Sequence, residues 1–398
     1  MKIGVWLSEK TSPNIGGGFS YYDILIENID KYKFSDVEVA FISTSPLTRE
    51  FQKDVIIIPR YKVFLFNILR LFAIFVPYRF VHRFNEIHEK ILSNFLIKRG
   101  IRIIFYPTQG YAILHNFPFI TNNWDIGHRE TYAFPELMLK RQFYLREKWY
   151  GETIRKALLI FCESEAGKKE LLHFTGIRTE KIKVMPTFPG RSILKEIEAE
   201  EQQKILEKFN LKRHHYFFYP AQFWAHKNHY GLLQAFIDFH KQNRDYKLIL
   251  TGSDKGNLNY IKRLVAEYKM DKEIIFGGFV KIEEVSTLYR NAVALIMPTF
   301  FGPTNMPLLE AMALKCPVLC SDFDGHREIM EDAALYFSPT NTGEIVECMR
   351  KILDSTRRDE LLKKAQQVYV NSKFNIDAAM SRMNGYFSEI INIRNCWE

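Results

Sequence analysis

The sequence is poor in cysteine. It has five in 398 residues, Cys162, Cys316, Cys320, Cys348 and Cys396, odd in number, scattered, and never in a CxxC pair. That argues against a disulfide framework and a cysteine-built zinc site, and for a reducing compartment. A bilayer-length apolar run is also missing. The stretch 63–83 (VFLFNILRLFAIFVPYRFVHR) has an apolar run of only about 15 residues, broken by Arg70 and Pro77, where a spanning helix takes ~20. The start, MKIGVWLSEK, lacks a secretory apolar region, because one strand's worth of apolar residues runs straight into charge. A cytoplasmic protein is the expectation. No segment has the low complexity of a disordered chain. Acidic residues are outnumbered, 46 Asp and Glu against 55 Lys and Arg, for a formal net charge of +9. This suits an anionic partner such as phosphates or an anionic membrane surface. Zinc-finger, RNP and helix-turn-helix signatures are absent, so nucleic acid is not expected.

What is present is globular in character, with 47% hydrophobic and 25% charged residues. The length predicts two domains of ~150–200 residues. Strand-like runs at 2–7, 36–43, 54–58, 101–106, 118–122, 157–162 and 181–185 alternate with helical patterns. The style repeats at 215–220, 247–251, 273–277, 293–297 and 317–320. Such alternation implies α/β domains with parallel sheets. A break near 186–213, with two prolines and a glycine before a charged helix, divides the chain into 1–188 and 189–375. The reading is two doubly wound, Rossmann-like domains facing across a cleft. Ligands then bind at the carboxyl ends of strands. The stretch 63–83, with Arg70, Arg79 and Arg83 among aromatics, reads either as a helix lying on an anionic membrane or as a buried helix against the first sheet.

Four loops follow strands directly. In 13–19 (PNIGGGF), glycines including Gly17 and Gly18 let backbone amides approach a ligand, although the same residues make an ordinary turn. In 219–228 (YPAQFWAHKN), Lys227 opens the next helix and can neutralise a diphosphate. His226 and His229 have the spacing of a metal pair, but no third ligand is evident, and no metal is expected. In 299–310 (TFFGPTNMPLLE), Pro307 suits a first helical turn whose free amides favour an anion, with Glu310 either a cap or a partner for ribose hydroxyls. In 124–137 (WDIGHRETYAFPEL), Asp125, His128, Arg129 and Glu130 bring acid, base and cation together, as transfer chemistry needs, or make a polar capped loop. The Asp322-Phe323-Asp324 triplet reads as a loop leading into a helix rather than a metal site.

Taken together these residues resemble glycosyltransferase family 4, retaining enzymes of the GT-B fold. The likeness covers most of the chain and is strongest over 275–339. WDIGHR with FPEL, and GPTN with MPLLEA, look like a bacterial branch tied to surface-polysaccharide assembly. The resemblance implies that Lys227 holds the donor diphosphate. The backbone of Gly302, Pro303, Thr304, Asn305 and Met306 would bind phosphate and face the sugar. Glu310 would bind the ribose, and Val280 and its neighbours the base. Gly17, Gly18 and Gln222 would adjoin the donor. Asp125 and His128 would orient the acceptor or the donor's 6-position, with Trp124 and Arg129 on the acceptor side. A C-terminal helix within 376–398 would cross back onto the first domain.

Three departures stand out. Relatives keep a carboxylate at the position of Gly302, an arginine at that of Gln222, and a histidine at that of Trp124. The implied activity is metal-independent, retaining transfer of a hexosyl or deoxyhexosyl group. The donor would be a GDP-, UDP- or dTDP-sugar and the acceptor a saccharide or lipid-linked saccharide, at the inner face of the cytoplasmic membrane. A nucleotide-sugar 2-epimerase, or a non-catalytic nucleotide-sugar-binding subunit, stays open.

Overall fold

A computed structural model of the chain describes residues 1–8, 17–47, 49–59, 61–62, 78–110, 112–114 and 116–396. Residues 13–16 of the first glycine loop and 63–77 of the aromatic, basic stretch lie outside them. The start of the helix Tyr78–Ile97 takes up the rest of that stretch. Among the described residues, no helix is long and apolar enough to cross a membrane.

Strand β1 (Lys2–Trp6) lies inside a seven-stranded sheet. It is joined by β2 (Glu38–Ser43), β3 (Val55–Ile57), β4 (Ile101–Tyr106), β5 (Phe119–Asn123), β6 (Leu159–Cys162) and β7 (Ile182–Val184), in the order β3-β2-β1-β4-β5-β6-β7. All neighbours pair in parallel. Successive side chains alternate between faces. Ile3, Val5, Ile103, Phe105 and Phe161 fill one core, while Trp6, Ile104, Tyr106, Ile160 and Cys162 fill the opposite one. Burial on both faces explains why these strands read as continuous apolar runs. The C-terminal helix Ile376–Arg394 covers the first of these faces through Met380, Met383, Phe387 and Ile390. Tyr386 of this helix donates to the Val184 carbonyl at 3.0 Å, and Lys183 pairs with Glu389 at 2.8 Å.

The second sheet has six parallel strands: β8 (Tyr216–Pro220), β9 (Lys247–Thr251), β10 (Ile274–Gly278), β11 (Ala294–Met297), β12 (Val318–Ser321) and β13 (Ala334–Phe337). Their order is β10-β9-β8-β11-β12-β13. Their side chains form one core with helices such as His229–His240, Ile282–Asn291 and Met306–Ala313. The edge strand β13, absent from the sequence reading, has four residues and pairs through Leu319 with Leu335. The strand ends and glycine turns of the two sheets face one another across a cleft of about 440 Å³.

Candidate functional site

The loop after β11 is shaped by a glycine. Gly302 has φ +120°, a region that side chains rarely adopt, and a Cβ there would meet Asn305 Nδ2 at 3.2 Å. The chain then turns through Pro303 and Thr304 to Asn305, which precedes the helix Met306–Ala313. Pro307 stands in the first turn, where its missing N–H costs nothing. Asn305 does not cap this helix with its side chain. Its amide is held elsewhere: Nδ2 faces His326 Nε2 at 2.9 Å, and Oδ1 accepts from Lys227 Nζ at 3.2 Å. His326 Nδ1 lies 2.7 Å from the Ser321 carbonyl, which can only accept, so Nδ1 carries the proton and Nε2 is the acceptor. Burial pushes the His326 pKa down to about 4, which keeps the ring neutral. A neutral histidine thus fixes which end of the Asn305 amide faces Lys227.

Lys227 ends the turn Ala225–Lys227 that follows β8, and its carbonyl accepts from Tyr219. Burial lowers its pKa to about 8, against the pull of Asp125 and Glu136. Asn228, at φ 55°, caps the helix His229–His240 by accepting from Gly231 N at 3.1 Å. Glu310 is not a cap. Its Oε2 accepts from Tyr289 at 3.0 Å, and a Cβ on Gly190 would come within 2.2 Å of Oε1, so a side chain there would displace the carboxylate. Burial raises its pKa. Gln222, Gly278, Val280 and Val285 continue this wall.

The first domain supplies the facing wall. Gly17 and Gly18 open the helix Gly17–Lys31; Gly17 lies against Met306 and Gly18 against Trp124. Trp124, Tyr21 and Glu163 complete the lining. Asp125 lies just behind, with Oδ1 accepting from Arg146 at 2.8 Å and from the Gly127 amide at 3.1 Å.

His128 and Arg129 are placed differently from the sequence expectation. Glu147 draws both away from the cleft. It sits 2.8 Å from His128 Nε2, and it takes Arg129 Nε and Nη2 at 2.7 and 2.8 Å. The His128 ring stacks on Tyr150, and its pKa is lowered, first by burial. Gly302 and Pro303 shape the loop from behind the lining. Pro303 is wedged where added Cβ atoms on Gly167 and Gly325 would collide with it. His226 and His229 are also occupied, His226 by Glu136 and His229 by stacking on Phe223. Asp322 is engaged by Arg327 through two hydrogen bonds.

Contacts between distant segments close the seam. Glu136 Oε1 accepts from His226 N at 3.0 Å and faces its Nδ1 at 2.6 Å. Glu328 accepts from the amides of Glu165 and Ala166 at 3.1 and 2.9 Å, which anchors the N-terminus of the helix Glu165–Thr175. Thr304 donates to Glu163, and Ser164 donates to the Pro303 carbonyl at 3.4 Å. Sequence reasoning missed Glu163, Glu136, Tyr289, His326 and Glu328. Glu163 had a usable signal, since it directly follows a strand, and Glu136 lies in the FPEL motif.

Residues 201–368 match the family model of glycosyl transferases group 1, a span that takes in the second sheet, Lys227 and Glu310. The O-antigen chain mannosyltransferase B of Escherichia coli is 27% identical over 215 residues, 54% of this chain and 56% of that protein. The O-antigen chain mannosyltransferase RfbU of Salmonella typhimurium is 29% identical over 246 residues, 61% of this chain and 63% of the other. The chain thus spans less than two thirds of the length of these curated relatives. Anabaena HepE, solved in complex with UDP and glucose, has a TM-score of 0.71 at 13% identity, covering 98% of this chain and 100% of its own. WaaG, a glycosyltransferase involved in lipopolysaccharide biosynthesis, has a TM-score of 0.66 at 14% identity, covering 96% of this chain and 98% of its own. The fold is GT-B.

Proposed function

We propose that the protein is a glycosyltransferase that moves a hexosyl group from a nucleoside-diphosphate sugar to a saccharide or lipid-linked saccharide. One observation carries the reading. Lys227, the amide end of the helix Met306–Ala313 and Glu310 line a single cavity, with the wall of a second domain opposite. A cation and free helix amides fit a diphosphate, and a carboxylate one turn further on fits ribose hydroxyls. The match of residues 201–368 to group 1 glycosyl transferases supports the same reading. Mannose is the first sugar to try, because both O-antigen relatives carry it in their names. Cell-surface polysaccharide synthesis is the matching process.

The donor lies on the second domain, with its base near Val280 and its diphosphate between Lys227 and the Met306 amide. The acceptor enters along Gly18 and Trp124. As the glycosidic bond to the phosphate breaks, negative charge grows on the leaving diphosphate, and Lys227 and the helix amides stabilise it. The acceptor hydroxyl attacks from the leaving-group side, its proton passes to the departing phosphate, and configuration is retained. Asp125, held by Arg146, orients hydroxyls from the first-domain side. The charge is supplied by protein groups, so the reaction runs without a divalent metal.

The work site is the inner face of the cytoplasmic membrane. The segment Met138–Leu145 (MLKRQFYL) is exposed throughout, with Leu139 61% and Tyr144 59% accessible beside Lys140 and Arg141. Apolar and basic side chains in one exposed segment suit an anionic lipid surface.

The test is a thermal-shift screen of the purified chain against GDP, UDP, dTDP and their hexose conjugates, followed by product analysis with and without a saccharide acceptor. Stabilisation by one nucleoside diphosphate, with transfer only when acceptor is present, supports the reading. No shift with any of them removes it. Release of free sugar or epimer from donor alone replaces it with an epimerase.

A further inference from the structure

Glu163 sits where a donor sugar has to lie, and the proposed chemistry has not used it. It follows β6 on the first domain, is half-buried, and opens onto the cleft. Its Oε2 accepts from the Thr304 hydroxyl of the second domain, and Oε1 has no hydrogen-bond partner among the described residues. Nearby carboxylates along the seam are differently placed: Asp125 pairs with Arg146 and Glu328 with Lys373. No cation lies within ion-pairing distance of Glu163 among the described residues. Burial, with Asp125 adding to it, lifts its pKa to about 7. A carboxyl group kept in such a place and left without a cation has to find hydroxyl or amide donors instead.

Geometry narrows the ligand. If Lys227 and the Met306 amide hold the diphosphate, the group esterified to its outer phosphate projects past Asn305 and Thr304 toward the first domain. Ser20, Tyr21, Trp124 and Glu163 are the first-domain side chains lining the cavity, and Glu163 is the one that meets Thr304. Neighbouring sugar hydroxyls present two O–H donors at the spacing of one carboxylate, and bonds to a charged acceptor are the stronger kind. We propose that Glu163 is the hydroxyl-binding residue for the donor hexose, acting across the cleft from the opposite domain and sharing its site with Thr304. This rests on the donor-site reading above and adds to it the group that reads the sugar.

The experiment separates sugar from nucleotide. Dissociation constants are measured for the full chain, Glu163→Ala, Glu163→Gln and Thr304→Val, using GDP against GDP-mannose and UDP against UDP-glucose. In Glu163→Ala the preferred nucleotide sugar should weaken at least ~10-fold, the scale of one lost hydrogen bond to a charged group, while the matching diphosphate stays within about 2-fold. Glu163→Gln, which still accepts but without charge, should fall between. Thr304→Val removes the hydroxyl that occupies Glu163 Oε2, and on a Glu163→Ala background it should add no further loss of the sugar increment. Equal weakening of diphosphate and nucleotide sugar would show that Glu163 serves only the seam, and overturns the proposal. Unchanged affinity for both overturns it too. If the unaltered chain binds none of these four ligands and neither dTDP nor dTDP-glucose, the donor-site reading itself falls.

Discussion

Replacing Lys227 with methionine should make the empty protein more stable and the site weaker. Burial moves the Lys227 pKa from the ordinary 10.5 down to about 8. At 1.36 kcal/mol per unit, holding the charged form in the fold costs about 3 kcal/mol. The ammonium keeps partial access to cleft water, so about 2 kcal/mol is the better figure. The folded-state value is depressed, so the unfolded chain binds more protons between pH 8 and 10.5. Stability therefore rises with pH across that window, and the full cost is present below pH 8. Methionine matches the stem in volume and carries no charge. At pH 7 the variant should melt roughly 4–8 °C higher, at ~2–4 °C per kcal/mol for a domain of this size. Near pH 10.5 the gap should close. Affinity for the bound nucleoside diphosphate should fall at least ~30-fold, the lower end for truncating one partner of a buried charge pair. Scanning calorimetry at pH 7 and pH 10, with and without ligand, reads all of this. A variant that melts at or below the parent at pH 7 and keeps the full ligand shift would refute the assignment of Lys227 to the anion.

Four more outcomes follow. Gly302→Ala forces a side chain into φ +120° and against Asn305, and such strain costs ~1–3 kcal/mol; donor affinity by calorimetry should drop about 10-fold or more. His326→Leu leaves Asn305 Nδ2 only its long, 3.4 Å bond to the Gly302 carbonyl, and the loosened amide should weaken donor binding ~10-fold. In the unaltered chain His326 should contribute no break in donor binding near pH 6.5, because it stays neutral down to about pH 4; a break near pH 7 belongs to Glu163 and should vanish in Glu163→Gln. Finally, the chain should float with phosphatidylglycerol vesicles in a salt-sensitive way. Leu139→Glu with Tyr144→Glu should reduce flotation several-fold, and unchanged flotation would clear that segment of the role.

The sheets were legible because their physics is local. Strands buried on both faces are continuous apolar runs, and such runs mark twelve of the thirteen strands among the described residues. β13 escaped because ALYF is a short apolar run at a sheet edge. Lys227 and Glu310 were singled out by the strand-end rule, which needs only the order of elements, and both line the cleft. His128 and Arg129 show where that rule stops. Their partner Glu147 lies 19 and 18 residues further on, on a different helix, and no spacing between them announces the pairing. Glu163 had the right address, but which surface faces it depends on how two domains meet.

That dependence has a consequence for how the cleft reads a sugar. The family resemblance puts a carboxylate at the position of Gly302, within the second domain. Here the loop takes a backbone conformation that favours glycine, and the nearest unpaired acid, Glu163, is on the first domain. An acid on the same loop would read the sugar whether the cleft is open or closed. Glu163 can do so only while the domains are together, because Thr304 and Glu163 belong to different sheets. The Glu136–His226 and Glu328–Ala166 bonds span the same seam. Sugar recognition and domain closure would then be one event: the second domain alone could hold a nucleoside diphosphate, but the hexose would be recognised only when the acceptor-bearing domain is already in place.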